Sequence, residues 1–328
     1  MDSQLSRALI ERIVRQALRG VEDSPGRSAR NLVDMALAFS DGPFQQRFFQ
    51  AAQRILASEG AYAALLRDAA ATVDNERLLT FGLNLGYNGC TAGAETIRSI
   101  EAREGFNIPW AIALETDEGR GADIYRDIIA QGKAMGVFVW VLFARGEPML
   151  ELAADHGDCA FVLLCRPGDV TDELLARAGE LPNLMLGIRW EEDAAVACAR
   201  ARERRLLYSL WTTYGPAEAA LDDLLVEAET MHPIFTLLAP EEDCPAAVRA
   251  QVYDQVRAIR AAQRCQTVPY ELLQDGLAAD AVISDGACSA FFDAAGTLHP
   301  TPETGPVNLF DRSLQETLRL AFPKHPQR

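Results

Sequence analysis

Ionisable and polar residues follow six apolar runs in this chain of 328 residues. They are Glu115, Thr116, Asp117 and Glu118; Arg145 and Glu147; Arg166 and Asp169; Arg189, Glu191 and Glu192; Thr212, Thr213 and Tyr214; and Glu241, Glu242 and Asp243. Carboxylates mixed with arginines can hold a polar small molecule or a hard cation. They also suit solvated strand ends, and residues 169–171 and 191–193 read as helix caps. Trp110, Trp190 and Trp211 stand at the ends of the same runs. They can stack on a planar ligand or fill a core.

Other chemistry is thinly supported. The seven cysteines, Cys90, Cys159, Cys165, Cys198, Cys244, Cys265 and Cys288, contain no C-x₂₋₄-C pair of the kind a metal knuckle needs. Cys159 and Cys165 lie at opposite ends of one expected strand, about 20 Å apart. Cys288 follows Asp285, whose charge opposes thiolate formation, and it reads as a buried thiol. The four histidines, His156, His232, His299 and His325, form neither H-x₃-H nor H-E-x-x-H. His156 falls at a helix end, where a cation is favoured. No nucleophile elbow is present. Gly82, Gly86, Gly89 and Gly93 match neither phosphate-binding fingerprint, so they read as close-packed helix or turn glycines.

The apolar runs are the scaffold for the strand-end residues. Residues 108–148 form one βαβ unit, with nearly all-apolar strands flanking an amphipathic helix. Strands of that kind belong to a parallel sheet covered by helices. The regular alternation gives strands at 109–115, 137–143, 159–165, 184–190, 206–211 and 233–238. Helices fall at 121–135, 148–156, 171–180, 192–204, 216–230 and 245–263. Six such units with right-handed crossovers make an open, partial (β/α)₆ TIM-like barrel, an α/β fold. Its ligands are expected at the C-terminal strand ends. Asp117, Arg145, Arg166, Arg189, Trp211 and Tyr214 would line that mouth.

Residues 1–107 read as helical, with helices over 5–18, from Ser28, from Pro43 and over 61–71. Residues 108–265 form the barrel and 266–328 a C-terminal extension. In that extension 293–296 is a hairpin turn and 314–322 a final helix. Net charge is −16, which disfavours nucleic acid. The basic run at 200–205 sits late in a helix and suits its macrodipole. No apolar stretch is long enough to span a bilayer. The charged amphipathic start is not a signal peptide, which places the protein in the cytoplasm with reduced thiols.

Several segments carry a resemblance. They are Asn107-Ile108-Pro109-Trp110-Ala111-Ile112, the helix 128–136, Arg145-Gly146-Glu147-Pro148, Asp158-Cys159-Ala160-Phe161, the segment 270–276 and Asp293-Ala294-Ala295-Gly296. In this order and spacing they resemble the radical S-adenosylmethionine (SAM) family, in a group with a helical N-terminal region and a SPASM-like C-terminal extension. The resemblance covers most of the chain. It implies a SAM pocket at Gly146, Glu147, Glu115 and Trp110, with Glu147 near the methionine amino group. Glu147 and Pro148 equally suit the first turn of a helix.

The departure is as informative. The family's C-x₃-C-x₂-C loop holds a [4Fe–4S] cluster through three thiolates. Here that place reads Thr116-Asp117-Glu118-Gly119-Arg120-Gly121. Thr301 follows Pro300 where many relatives carry a further cysteine. The resemblance therefore implies a degenerate member with no [4Fe–4S] cluster and no reductive cleavage of SAM. SAM itself stays a candidate cofactor, held less tightly without the iron. The expected function is binding of a small molecule, or of a protein such as an active relative, with no nucleic acid and no membrane. The alternatives are cluster-independent chemistry at the barrel mouth, or an active enzyme whose ligands come from Cys159, Cys165 and Cys198 or from a partner.

Overall fold

The computed structural model describes residues 60–144, 149–216, 221–298 and 305–324, with Asp34, Gln50, Gln53 and Arg54 upstream. The helices expected over 5–18, from Ser28 and from Pro43 lie almost wholly outside the described residues. So do Arg145, Gly146, Glu147 and Pro148, His299 and His325, and Pro300 and Thr301.

The chain opens, as described, with helices α1 (Ala61–Thr72), α2 (Asn75–Leu83) and α3 (Ala94–Glu104). Strands and helices then alternate: β1 (Ala111–Glu115), α4 (Ala122–Ala134), β2 (Val139–Phe143), α5 (Leu150–Asp155), β3 (Ala160–Cys165) and α6 (Asp172–Gly179). They continue as β4 (Leu184–Arg189), α7 (Ala194–Glu203), β5 (Tyr208–Tyr214), α8 (Leu221–Glu229), β6 (Phe235–Pro240) and α9 (Ala246–Ala262). The C-terminal part holds β7 (Val268–Glu271), α10 (Leu272–Ile283), β8 (Ala290–Phe292), β9 (Thr297–Leu298), β10 (Val307–Asn308) and α11 (Leu314–Ala321).

Eight strands form one sheet in the order β7-β6-β5-β4-β3-β2-β1-β8. The open, TIM-like α/β class is as expected, but the strand count of six is corrected to eight. β7 has four residues and β8 three, too short for a periodic signal. Pro269 within β7 also reads against a strand. Proline is tolerated there because β7 is an edge, where a missing N–H blunts further pairing. The turn at 293–296 forms as expected, with Asp293 Oδ1 accepting from the Thr297 N–H at 2.7 Å. Its flanking strands do not pair as a hairpin. β8 runs parallel to β1, and β9 pairs antiparallel with β10. The other expected strands start no more than two residues late. β5 runs on through Thr212-Thr213-Tyr214, whose β-branched and aromatic side chains favour extension.

Two compact units divide the chain: one comprises 1–79, 166–170 and 186–274, the other 80–165, 171–185 and 275–328. In the second unit the parallel register sets Ile112 beside Trp140, Leu114 beside Leu142 and Trp140 beside Phe161. This stripe is fully buried. Helix α4 comes so close to it that a Cβ on Gly132 would meet the Trp140 ring at 2.4 Å. The alternate residues Ala111, Ala113, Val141 and Phe143 are half-buried. All-apolar runs predict burial on both faces, and here one face is left partly open.

The glycine-rich stretch is helical. α2 passes into a π-helical segment, Asn84–Gly93, and then into α3. Buried Asn84 donates to the carbonyls of Gly157 and Cys159, both at 2.8 Å, and Asn88 to that of Asp158 at 2.7 Å. Asn183 reaches the Ala153, His156 and Cys159 carbonyls. The turn before β3 thus has its carbonyls satisfied by buried amides. His156 in that turn is not the favoured cation expected there. It is buried, and desolvation pulls its imidazole below the usual range.

In the first unit, the residues Tyr214, Leu221, Leu225, Leu238, Val252, Val256 and Ile259 form one core cluster. The basic run has specific partners beyond the helix dipole. Arg202 makes two hydrogen bonds to Asp68 of α1, at 2.6 and 2.8 Å, and holds that carboxyl below its usual range. Arg205 caps the Val73 carbonyl at 3.2 Å. No described helix is long and apolar enough to cross a membrane.

Two glycine substitutions separate packing from propensity. At Gly93 a Cβ would meet the Gly136 carbonyl oxygen at 2.3 Å and that of Asn88 at 2.6 Å, whereas nothing lies within 4 Å at Gly82 in α2. Gly93→Ala is expected to destabilise by about 1–3 kcal/mol. Gly82→Ala should be neutral or stabilising by up to about 1 kcal/mol. Urea unfolding of both variants measures the contrast.

Candidate functional site

In the second unit the candidate site is the C-terminal end of β1. Glu115 is exposed there. The strand residue before it in the same alternation, Ala113, pairs with Phe291 of β8, and Glu115 pairs with Phe143. Phe143 and Phe291 meet edge to face at 5.4 Å, and Phe291 is 45% exposed. The open face of this unit is therefore apolar and aromatic, with one carboxylate at its end. Such a surface can cover a ligand's apolar body and hold one polar group.

The loop after Glu115 is closed on itself. Asp117 donates its N–H to the Tyr125 hydroxyl at 2.7 Å. Its carboxylate accepts from the Gly119 N–H at 2.9 Å and lies 3.6 Å from Arg120 Nε. The Arg120 guanidinium sits 4.0 Å over the ring of Phe310, which Tyr125 also meets edge-on at 6.2 Å. Gly296 makes room for that ring, since a Cβ there would meet it at 2.4 Å. Burial raises the Tyr125 phenol, against the opposing hydrogen bond from Asp117. Asp117 is thus held by an Asx turn and an arginine.

Trp110 is not part of this end. It precedes β1, opposite to Glu115 along the strand and about 16 Å away. It is buried, and its backbone N–H donates to Asp280 at 2.8 Å. Trp110 and Glu115 are not brought together.

In the first unit Arg189 and Trp211 are cross-strand neighbours on β4 and β5. The guanidinium lies 4.9 Å from the indole centroid, and Glu191 is 3.6 Å from Arg189 Nε. Trp190 is half-buried beside them. Glu192, Asp193, Glu241, Glu242 and Asp243 are exposed. Arg166 is exposed too, and its N–H is capped by Asp169 at 3.0 Å. Thr171 caps α6 as expected, accepting from the Leu174 N–H at 3.0 Å. Asp193 stands at the start of α7 without a side-chain cap, in a left-handed conformation.

Tyr214 occupies a different environment from the expected mouth. It shares its face with Leu238 and the helix core, and donates its hydroxyl to Glu271 at 2.8 Å. Burial, then Glu271, push its phenol far above the ordinary value. Glu271 is fully buried and nothing in its sequence context marks it as such.

The cysteines are free thiols, and all but Cys90 are buried. Desolvation pushes Cys90, Cys159 and Cys198 up to about 12. Cys159 and Cys165 flank β3 at its two ends. Among the described residues no three His, Cys, Asp or Glu side chains converge as a metal site.

No protein-family model matches the chain, and no curated protein matches it. Solved structures of SuiB from Streptococcus suis do. SuiB alone aligns with a TM-score of 0.52 at 8% identity, over 92% of this chain and 76% of SuiB. SuiB bound to the precursor peptide SuiA gives 0.51 at 8% identity, over 89% and 75%. SuiB bound to S-adenosylmethionine gives 0.50 at 9%, over 68% of this chain and 66% of that one. The chain thus spans about two thirds to three quarters of these neighbours. At such identity they show a shared fold alone.

The Tyr214–Glu271 pair gives a direct test of which face Tyr214 serves. Tyr214→Phe leaves the buried Glu271 without that hydroxyl and is expected to cost about 1–3 kcal/mol in chemical denaturation.

Proposed function

We propose that this protein keeps the radical SAM fold but works without radical chemistry, as a cytoplasmic binding or partner protein. The observation that supports it is the closed loop after β1. A [4Fe–4S] cluster needs thiolates, and residues 116–121 offer none. One potential oxygen ligand there, Asp117, is already engaged by the Gly119 N–H and Arg120. The described cysteine thiols are held protonated by burial or lie along separate elements. These residues do not fit the cluster.

On this reading the ligand is a peptide or a small molecule, or the partner is an active relative. The likeness to SuiB with its bound precursor peptide supports the peptide class. The apolar face at Ala113, Phe143 and Phe291 would take its body, and Glu115 a polar or cationic group. Asp117 and Arg145 are further proposed contacts of that second unit, and Arg166, Arg189 and Trp211 are proposed contacts of the first unit by itself. A second reading rests on the neighbour bound to S-adenosylmethionine: Gly146, Glu147 and Glu115 would keep a SAM site used for cluster-independent chemistry.

Anaerobic reconstitution of the purified protein with iron and sulfide tests the first reading. The expected result is no stoichiometric iron and no 5′-deoxyadenosine formed from SAM under reduction. A full cluster with cleavage would overturn it. Calorimetry with SAM separates the second reading. Binding tighter than about 100 μM, about −5.5 kcal/mol, and weakened in Glu147→Gln, would favour the SAM-dependent alternative.

A further inference from the structure

Two buried carboxylates grip the segment that leads into β1. Ile108 donates its N–H to Glu101 at 2.7 Å, and Trp110 donates to Asp280 at 2.8 Å. Donors two residues apart on an extended chain are about 7 Å apart, so the carboxylates are close neighbours. Glu101 is 1% exposed and Asp280 2%.

Their surroundings are unequal. Glu101 also accepts from the Ser284 hydroxyl, the Asp285 N–H at 3.2 Å and Lys324 Nζ at 3.3 Å. Lys324 is shared with Asp285 at 2.7 Å. Arg98 on α3 is directed to the Ile283 carbonyl at 3.3 Å. Among the described residues no lysine or arginine pairs with Asp280. The Cys288 thiol is buried in the same cluster, and burial, then Asp280 and Glu101, raise it. One ammonium therefore already serves two carboxylates. A charged Asp280 would be a further anion cut off from water, which is costly unless the site opens. In keeping with this, burial pushes the Asp280 carboxyl up to about 8, with the Glu101 charge adding and the Trp110 N–H opposing.

Two segments with exposed residues border this cluster: the turn 284–288, and the segment 322–324, which pairs with residues 105–107. Asn107 donates to the Phe322 carbonyl at 2.8 Å, and Lys324 to that of Gly105 at 3.0 Å. We propose that Asp280 and Glu101 form a proton-operated clasp, which holds the turn 284–288 and the C-terminal segment 322–324 shut while Asp280 is protonated. Its ionisation admits water and opens them. The closed state retains a proton that the open state releases. Closure is therefore strongest below the ordinary carboxyl value of 3.8 and weakens as pH rises toward about 8, beyond which it levels off. In that window the opening constant rises about tenfold per pH unit.

Cys288 reports the opening. The full-length protein is pulse-labelled with a thiol reagent across the window, and Cys288 and Cys198 are quantified by peptide mass. Cys198 in α7 is equally buried, and burial alone raises it. The ratio of the two cancels the reagent's own pH dependence. The expected ratio climbs by up to about tenfold per pH unit and is flat in Asp280→Asn, which keeps the acceptor for Trp110 but cannot ionise. Glu101→Gln, which removes the repelling charge, should end the climb at lower pH. A flat ratio in the unmodified protein, or an unchanged climb in either variant, overturns the clasp.

Discussion

Parallel pairing is the constraint on which the rest of this structure depends. Side chains alternate across a strand, so each parallel register commits one set of residues to the helices and the other to the opposite face. In the second unit the committed set is Ile112, Leu114, Trp140, Leu142, Phe161 and Leu163, all essentially without exposure. Gly132 lets α4 descend onto that stripe. Full burial of several large side chains at ~1.5–3 kcal/mol each makes this face the energetic centre of the unit. The opposite face, with Ala113, Val141 and Phe143, gives up burial and gains a surface that can receive something.

The polar groups follow the same division. At the starts of the strands, buried carboxylates and amides satisfy the backbone: Glu101 and Asp280 take the N–H groups before β1, and Asn84, Asn88 and Asn183 take the carbonyls before β3. Removing one partner from such networks strands a desolvated group. At the ends of β1 and β4 the charged residues Glu115 and Arg189 are exposed or half-exposed, whereas Glu271 at the end of β7 is buried. Along β1, satisfied buried polar groups stand before the strand and an exposed carboxylate stands at its end.

Much of this order was legible in the amino-acid sequence. The runs at 109–115 and 137–143 announced buried parallel strands, and of the glycines read as close-packed helix or turn residues, all four are helical but only Gly89 and Gly93 are tightly packed. β7 and β8 were illegible because three or four residues carry no period, and Pro269 argues against a strand unless its edge position is known. Glu101, Asp280 and Glu271 were missed for a plainer reason. A carboxylate on a helix or at a strand end looks solvated unless tertiary structure supplies the donors that bury it. The Arg120–Phe310 contact joins residues far apart in the chain, and no local pattern signals it.

Tyr214 shows where a reading of strand ends needs one more piece of information. Strand position put it beside Arg189 and Trp211 in the expected mouth. Register separates them. Arg189 is paired with Trp211, and Thr212 with Leu238, so Tyr214, two residues after Thr212, shares the face of Leu238 and the helix core. A shift of one residue in β5 would exchange the two sets. Distance from the end of a strand is therefore a weak guide to a site, and parity relative to a known core residue is a stronger one. By the same parity Ala113 and Glu115 lie opposite the Ile112–Leu114 stripe, on the face left partly open.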